Sequence, residues 1–111
     1  MFKSSLNNAG HGVLIETYIS GKNFYRIYSD GWCEQGGMID KGSYNTATET
    51  VNLLKPYKTS DYNIYSTIGS ESIYACYSTQ ILMPINSTDF KVGVAGSNIR
   101  YIYWYTCGYI N

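Results

Sequence analysis

The chain has 111 residues, the length of one ordinary domain with a single core. Eight basic and eight acidic side chains give zero formal net charge, and the basic residues are scattered along the sequence. Nucleic-acid binders normally show a basic patch, and membrane insertion needs a long apolar run, so the sequence argues against both functions.

The composition favours a β-rich protein that associates with itself or holds a polar ligand. Tyrosine accounts for 13 residues, whereas charged side chains make up only 14% of the chain. Zero net charge favours association. Tyrosine suits interfaces and partly hydrated surfaces because its ring is apolar and its tip is polar.

Strand signals run through the sequence in chain order. Apolar and polar residues alternate between turns rich in glycine and Asx residues, which predicts an all-β, antiparallel β-sandwich. The predicted strands cover residues 12–19, 24–29, 32–36, 48–54, 62–68, 72–78, 90–94 and 99–109. A short edge strand is expected between residues 38 and 50, and an irregular apolar stretch at 79–85. Residues 1–20 are interpreted as a linker or shaft junction with the first strand, and residues 21–111 as the sandwich domain.

The sequence of the hairpin at residues 24–37 supports two predictions of local backbone structure. Asp30 and Gly31 fit a two-residue type I′ turn, in which both central residues need a positive φ. Gly36 and Gly37 predict a bulge or a sharp bend in the returning strand.

The last predicted strand is apolar on both of its faces. Its tyrosines alternate with Ile102 and Trp104 along residues 99–109. A strand that is apolar on both faces is covered on both faces. This pattern indicates a sandwich that packs against copies of itself.

The sequence offers little for catalysis or metal binding. Cys33, Cys76 and Cys107 are odd in number and widely spaced, which predicts reduced thiols and neither a disulfide framework nor a zinc site. Alternation places Cys33 in the core. The only histidine, His11, is expected to be a solvated loop residue. We expect no cofactor, no metal and no enzymatic activity; a pair of carboxylates that cleaves a glycan is the open alternative.

Exposed tyrosines among Asn and Ser residues suit carbohydrate binding, because the C–H faces of sugars stack on flat rings. Alternation and loop position nominate five such residues. These candidate receptor-binding residues are Tyr28, Tyr44, Tyr57, Tyr65 and Tyr74.

The stretch FYRIYSDGWCEQGG resembles the hairpin of bacteriophage tail-fibre and tail-spike tip domains. The matching residues are Tyr25, Ser29, Asp30, Gly31, Trp32, Gln35 and Gly37. Further similar pieces follow in the same order at 51–56, 62–64, 90–92 and 104–109, so the resemblance covers roughly residues 21 to 110. The chain departs from the pattern at Gly36, where related domains often have an aromatic residue, and residues 69–85 do not align with it, so that a receptor loop there is unassigned.

The resemblance implies a homotrimeric fibre tip of a virion, made in the host cytoplasm, that binds a bacterial surface receptor such as a polysaccharide or an outer-surface protein. It also implies structural roles for the hairpin: Asp30 and Gly31 form the turn, Trp32 packs, and Gln35 makes buried hydrogen bonds within or between protomers. Further residues in hairpin and packing roles are Gly37, Trp104 and Gly108. The alternatives are a glycan-degrading tail-spike enzyme and a purely structural trimerisation module.

Overall fold

A computed structural model describes residues 10–42, 47–70, 79–84, 86–95 and 99–111. The strands are β1 (Leu14–Ser20), β2 (Asn23–Tyr28), β3 (Trp32–Asp40), β4 (Ala47–Asn52), β5 (Asn63–Gly69), β6 (Thr79–Pro84), β7 (Asp89–Ala95) and β8 (Tyr101–Tyr109). The described residues include no helix long and apolar enough to cross a membrane. The predicted all-β, antiparallel fold is confirmed.

The strands form two sheets with the core between them. One sheet has the order β1-β2-β3-β8-β5 and the other β4-β7-β6, and every neighbouring pair is antiparallel. Phe90 and Val92 of β7 and Ile102 of β8 are fully buried. The ring of Phe90 meets Trp104 edge to face at 6.0 Å between centroids, which ties the two sheets together.

Most predicted strands lie within a few residues of the observed ones. The predicted irregular stretch at 79–85 is wrong, because residues 79–84 form β6 and pair with β7. Pro84 is compatible with this because β6 is an edge strand, where a missing N–H costs no ladder bond. The expected edge strand at 38–50 is divided between the end of β3 and the start of β4, and the strand predicted at 72–78 lies outside the described residues.

The turn of the β2–β3 hairpin differs from the predicted type I′ geometry. Ser29, Asp30 and Gly31 form a three-residue loop, and only Gly31 has a positive φ, at 91°. The Gly31 N–H donates to the Tyr28 carbonyl at 2.9 Å, and the Trp32 N–H donates to Asp30 Oδ1 at 3.0 Å. Asp30 and Gly31 therefore do form the turn, but through a side-chain cap followed by one left-handed glycine.

The predicted bulge at Gly36 and Gly37 is also wrong. β3 runs straight through both residues, which pair with Tyr105 and Trp104 without a register shift. A Cβ at Gly36 would lie 2.8 Å from the Trp104 carbonyl oxygen and 2.9 Å from Phe24 Cε1. The glycines therefore serve close packing: they leave a bare stretch of β3 across which larger side chains lie.

Gln35 has its whole side chain buried and fully hydrogen-bonded within one chain. Its Nε2 donates to the Lys55 carbonyl at 2.7 Å, and its Oε1 accepts from the N–H groups of Leu54 and Lys55 at 2.7 and 3.1 Å. One amide thus satisfies three backbone groups of the segment that leads from β4 towards β5 and fixes this segment against β3.

Tyr57 lies in the same connecting segment, and its position corrects the sequence-based expectation of an exposed receptor contact. It is 4% exposed, and its hydroxyl lies 2.8 Å from Thr106 Oγ1 and donates to the Cys33 carbonyl at 3.3 Å. Burial raises the pKa of the Tyr57 hydroxyl far above its usual range. Cys33 has no exposed surface, as predicted, and burial raises the pKa of its thiol to about 11.

We predict that Gln35→Leu lowers the free energy of unfolding by about 2–4 kcal/mol, because a similar volume is kept while three partly buried backbone groups lose their partner. Tyr57→Phe, which removes a single hydroxyl, should cost only about 1 kcal/mol. Denaturant titration measures both losses. A Gln35→Leu protein as stable as the parent would contradict the anchoring role.

We predict that Gly36→Ala destabilises the fold by about 1–3 kcal/mol, because the new methyl group meets a carbonyl oxygen and an aromatic ring. Gly93→Ala is the matched control, since the nearest atom to its Cβ would be 3.9 Å away and the site is also within a strand. Gly93→Ala should be neutral or slightly stabilising. Equal unfolding midpoints for the two variants would refute the close-packing account.

Candidate functional site

The outer face of the five-stranded sheet, turned away from the three-stranded sheet, carries a row of aromatic rings. Register aligns Phe24 of β2, Gly36 of β3, Tyr105 of β8 and Tyr65 of β5. Because Gly36 has no side chain, Phe24 approaches Tyr105 with 6.5 Å between ring centroids, and Tyr105 lies 6.0 Å from Tyr65. These three rings, Phe24, Tyr105 and Tyr65, form a continuous aromatic row across the sheet.

A shallow cleft of about 250 Å³ opens beside this row. We call it the tyrosine cleft; its lining residues are Tyr65, Ser66, Thr67, Tyr103, Trp104 and Tyr105. Tyr65 is 58% exposed and Tyr103 is 38% exposed, although both belong to regular strands. The cleft therefore offers apolar ring faces with hydroxyl groups at their edges to a ligand in solution.

Two basic side chains lie beside these rings, and only one of them forms an ion pair with a described residue. The Lys22 ammonium lies 5.8 Å from the centroid of the Tyr103 ring and forms no ion pair with any described residue. The Arg26 guanidinium lies 4.8 Å from the Phe24 ring, and its Nε donates to Glu34 Oε1 at 3.2 Å. Lys22 is therefore the cation that remains available to a ligand at this edge of the cleft.

Tyr105 has a less exposed hydroxyl than its neighbours in the cleft. Burial, helped by the nearby negative charge of Glu34, raises the pKa of Tyr105 to about 12. The hydroxyl therefore stays protonated at any physiological pH, with the Glu34 carboxylate as an acceptor for its proton.

One face of β8 is buried against the core, and the opposite face is partly exposed. Ile102, Trp104 and Thr106 are buried against the core, whereas Tyr103 and Tyr109 on the opposite face are 38% and 45% exposed. The predicted alternation of the two faces is confirmed, but the described residues leave the outer face of β8 uncovered at Tyr103 and Tyr109.

Of the five tyrosines nominated from the sequence, only Tyr65 is in the tyrosine cleft. Tyr28 is half-buried at the end of β2, Tyr57 is buried, and Tyr44 and Tyr74 lie outside the described residues. The sequence analysis missed Tyr103 and Tyr105 as site residues. Alternation along β8 placed them on one face, but only the register with β5 brings them beside Tyr65.

A second aromatic group lies at the hairpin end of the same sheet. His11 stacks on Trp32 at 4.1 Å between centroids, its Nδ1 lies 2.7 Å from Asp30 Oδ2, and Tyr109 meets both rings edge-on. His11 is thus packed, against the expectation of a solvated loop residue. Partial desolvation raises the pKa of Asp30, but the Trp32 N–H and His11 outweigh it and leave the pKa below its usual value.

The other two packing residues from the sequence analysis also lie in close contacts. Trp104 is 7% exposed against Phe90, and a Cβ at Gly108 would lie 3.0 Å from Tyr62 Cβ. Gly108 therefore allows Tyr62 to approach β8 closely.

Most carboxylates in the described part of the chain have a hydrogen-bonding or ionic partner, and the described thiols are buried. Three carboxylates have separate cationic partners: Glu16 with Lys55, Glu34 with Arg26, and Asp40 with Arg100. Asp30 Oδ2 lies 2.7 Å from His11 Nδ1. The Arg100 guanidinium, aided by the Gly42 N–H, lowers the pKa of Asp40. Within the described ranges, no three His, Cys, Asp or Glu side chains come close enough to hold a metal ion.

No protein-family model and no curated protein sequence matches the chain. Solved structures of pyocin tail fibres do resemble it in fold. An N-truncated R2-type pyocin tail fibre aligns over 95% of this chain and 41% of its own, with a TM-score of 0.66 and 13% identity. A C-terminal part of the R2 pyocin fibre of P. aeruginosa aligns over 95% of this chain and 29% of its own, with a TM-score of 0.67 and 13% identity.

An N-truncated R1-type pyocin tail fibre has a TM-score of 0.63 and 14% identity, over 96% of this chain and 95% of its own. The chain thus spans less than half the length of the two R2 fibre structures. At identities this low the similarity establishes a shared fold, which is the β-sandwich of pyocin tail-fibre structures.

Proposed function

We propose that this chain is a receptor-binding domain of a phage-type tail fibre, part of a virion or a related tail particle, that attaches to a bacterial surface through the tyrosine cleft. The fold likeness to pyocin tail fibres over 95% of the chain supports the tail-fibre setting. The observation that carries the binding role is the exposure of Tyr65 and Tyr103, whose rings wall one cleft on a regular sheet.

The chemistry of the cleft favours a polysaccharide receptor. Ring faces accept the C–H surface of a sugar, while the hydroxyls of Tyr65, Tyr103 and Tyr105 exchange hydrogen bonds with its polar edge. The Lys22 ammonium, which forms no ion pair with a described residue, adds attraction for an acidic group on the receptor. Both contributions are weak for a single domain, so the proposal includes avidity from several copies.

We further propose that the domain functions as a homotrimer in which β1 lies in the interface. Every residue of β1 is exposed in the single chain, and Leu14, Ile15 and Ile19 are 44%, 64% and 78% exposed. An edge strand with apolar side chains and a free hydrogen-bonding edge is normally covered. Zero net charge also favours association of copies.

If the domain is a homotrimer, light scattering should give a solution mass near three times the 12.5 kDa mass of one chain. Ile19→Lys should lower this mass to that of one chain, because a charge would be buried at the interface. Ile81→Lys is the matched control, since Ile81 is 73% exposed on the other sheet and should leave the mass unchanged. A parent protein of one chain mass, or dissociation by Ile81→Lys alone, would contradict the assignment.

The receptor role predicts that Tyr65→Ala and Tyr103→Ala each reduce adsorption to host cells about tenfold or more, because stacking surface is lost. Met83→Ala, which truncates a 53% exposed side chain on the other sheet, should adsorb like the parent. Adsorption is measured with labelled protein on cells of a susceptible strain. Full adsorption by both tyrosine variants would favour a purely structural trimerisation module.

We propose that the domain binds without cleaving its receptor. The pairing of Glu16, Glu34 and Asp40 with separate cations supports this, because a glycosidase needs two carboxylates that face one substrate. Incubation with surface polysaccharide should therefore release no new reducing ends. Release of fragments would instead support the tail-spike enzyme alternative.

A further inference from the structure

The aromatic row extends beyond the tyrosine cleft. Tyr65 and Tyr105 line the cleft, whereas Phe24 belongs to β2, on the other side of β3. The row therefore crosses four strands, and its successive ring centroids are 6.0 and 6.5 Å apart. One sugar ring is about as wide as one aromatic ring, so it can stack on only one of the three at a time.

Neighbouring rings of the row are tilted relative to one another. The planes of Phe24 and Tyr105 differ by 36°, and those of Tyr105 and Tyr65 differ by 46°. A rigid planar molecule cannot stack on two rings with such a tilt between them. A chain with rotatable linkages can turn each of its units to match the ring beneath it. The tilt therefore favours a chain of separate rings over a planar or fused ligand.

The charges beside the row are balanced. The Arg26 guanidinium lies 4.8 Å from the Phe24 ring, and Glu34, which pairs with Arg26, also approaches the Tyr105 hydroxyl. The pair adds no net charge to this part of the sheet, so uncharged units suit the row better than ionic ones. The hydrogen bond to Glu34 uses Nε, one of the five N–H donors of a guanidinium. Arg26 can therefore also bond hydroxyl groups at the Phe24 end.

We propose that the aromatic row binds three consecutive uncharged sugar residues of an extended polysaccharide, one on each ring. The inference rests on the receptor-binding function proposed for the chain and deepens it. Phe24 becomes a binding residue, and the ligand becomes a run of chain units instead of a single terminal sugar. The C–H face of each unit packs on a ring, and the glycosidic linkages provide the turn from one ring to the next.

The fold limits the number of sugar residues at both ends of the row. Tyr65 lies on β5, the last strand of its sheet. At the other end the register places Ile19 of β1 beside Phe24, and an aliphatic side chain offers no flat ring. Ile19 also belongs to the strand that we assign to the trimer interface. A fourth sugar residue therefore gains no further stacking contact.

The first test is the dependence of affinity on chain length. Surface polysaccharide of a susceptible strain is partly hydrolysed and separated into fragments of one to five sugar residues, and each is titrated into ¹⁵N-labelled parent protein. Affinity should rise about three- to tenfold with the second residue and again with the third, and then level off. Equal affinity for one and three residues would overturn the proposal. A continued rise to five residues would overturn the limit of three.

Removal of the middle ring and of an end ring should have different effects. Tyr65→Ala removes an end ring, so the three-residue fragment should bind only as tightly as the parent binds two residues; Phe24→Leu should do the same. Tyr105→Leu removes the middle ring and should reduce binding to the level of one residue. Tyr109→Leu, at a 45% exposed position of β8 outside the row, is the matched control and should bind like the parent.

The fold of each variant is verified by its unfolding midpoint. Tyr65→Ala changes a 58% exposed side chain, so its result stands even if a leucine variant unfolds. Equal losses for the middle-ring and end-ring variants would contradict a continuous row of three sugar positions. A bound fragment whose three residues are all acidic would contradict the uncharged chemistry.

The same experiments separate this inference from the proposed receptor role. If the three-residue fragment binds no better than one residue but Tyr65→Ala still weakens adsorption to cells, the receptor role stands and the three-residue site is refuted. If Tyr65→Ala weakens adsorption but no fragment binds, the receptor is not a glycan and the three-residue site is again refuted. If neither the fragments nor the cells bind the protein, both proposals fail.

Discussion

The buried side-chain amide of Gln35 is the interaction on which the arrangement of the sheets depends. It bonds three backbone groups of Leu54 and Lys55 and so fixes the chain between β4 and β5 across the inner face of β3. Two consequences follow from this one anchor. Tyr57, further along the same segment, reaches Thr106 in the core. The Lys55 ammonium lies 3.3 Å from Glu16 and so links the segment to β1, the strand that the three-stranded sheet leaves uncovered.

The absence of side chains at Gly36 and Gly37 leaves room for larger side chains on both faces of β3. On the outer side, the bare backbone at Gly36 lets Phe24 lie across β3 towards Tyr105. On the inner side, the bare backbone at Gly37 leaves room for the Trp104 indole. A strand with ordinary side chains at both positions would keep its hydrogen bonds but would fill this space on both faces. The two glycines therefore lower the local strand propensity, but they allow these aromatic side chains to approach the backbone closely.

The ion pairs of the chain connect strands to one another and contribute little to the electrostatic potential at the surface. Arg100 joins Asp40 at the end of β3, and Arg26 joins Glu34 across the β2–β3 pair. Such exposed pairs add little stability each, but they neutralise the surface around the aromatic row. Recognition by this face therefore depends on ring surfaces, hydroxyl groups and the single Lys22 ammonium, which agrees with a composition rich in tyrosine and poor in charge.

The sequence by itself determined most of the strands and which of their side chains share a face, because alternation with a period of two is a local property. Along β8 it separated the tyrosines from Ile102 and Trp104, and in β3 it placed Cys33 in the core. It failed on the turn at Asp30 and on Tyr57, because loop length and the burial of a loop depend on contacts with distant residues. Only the tertiary structure decided that Tyr65 meets Tyr105 and that the Trp104 indole packs over Gly37. The register between strands far apart in sequence is set by packing of the whole core, and no short segment of sequence encodes it.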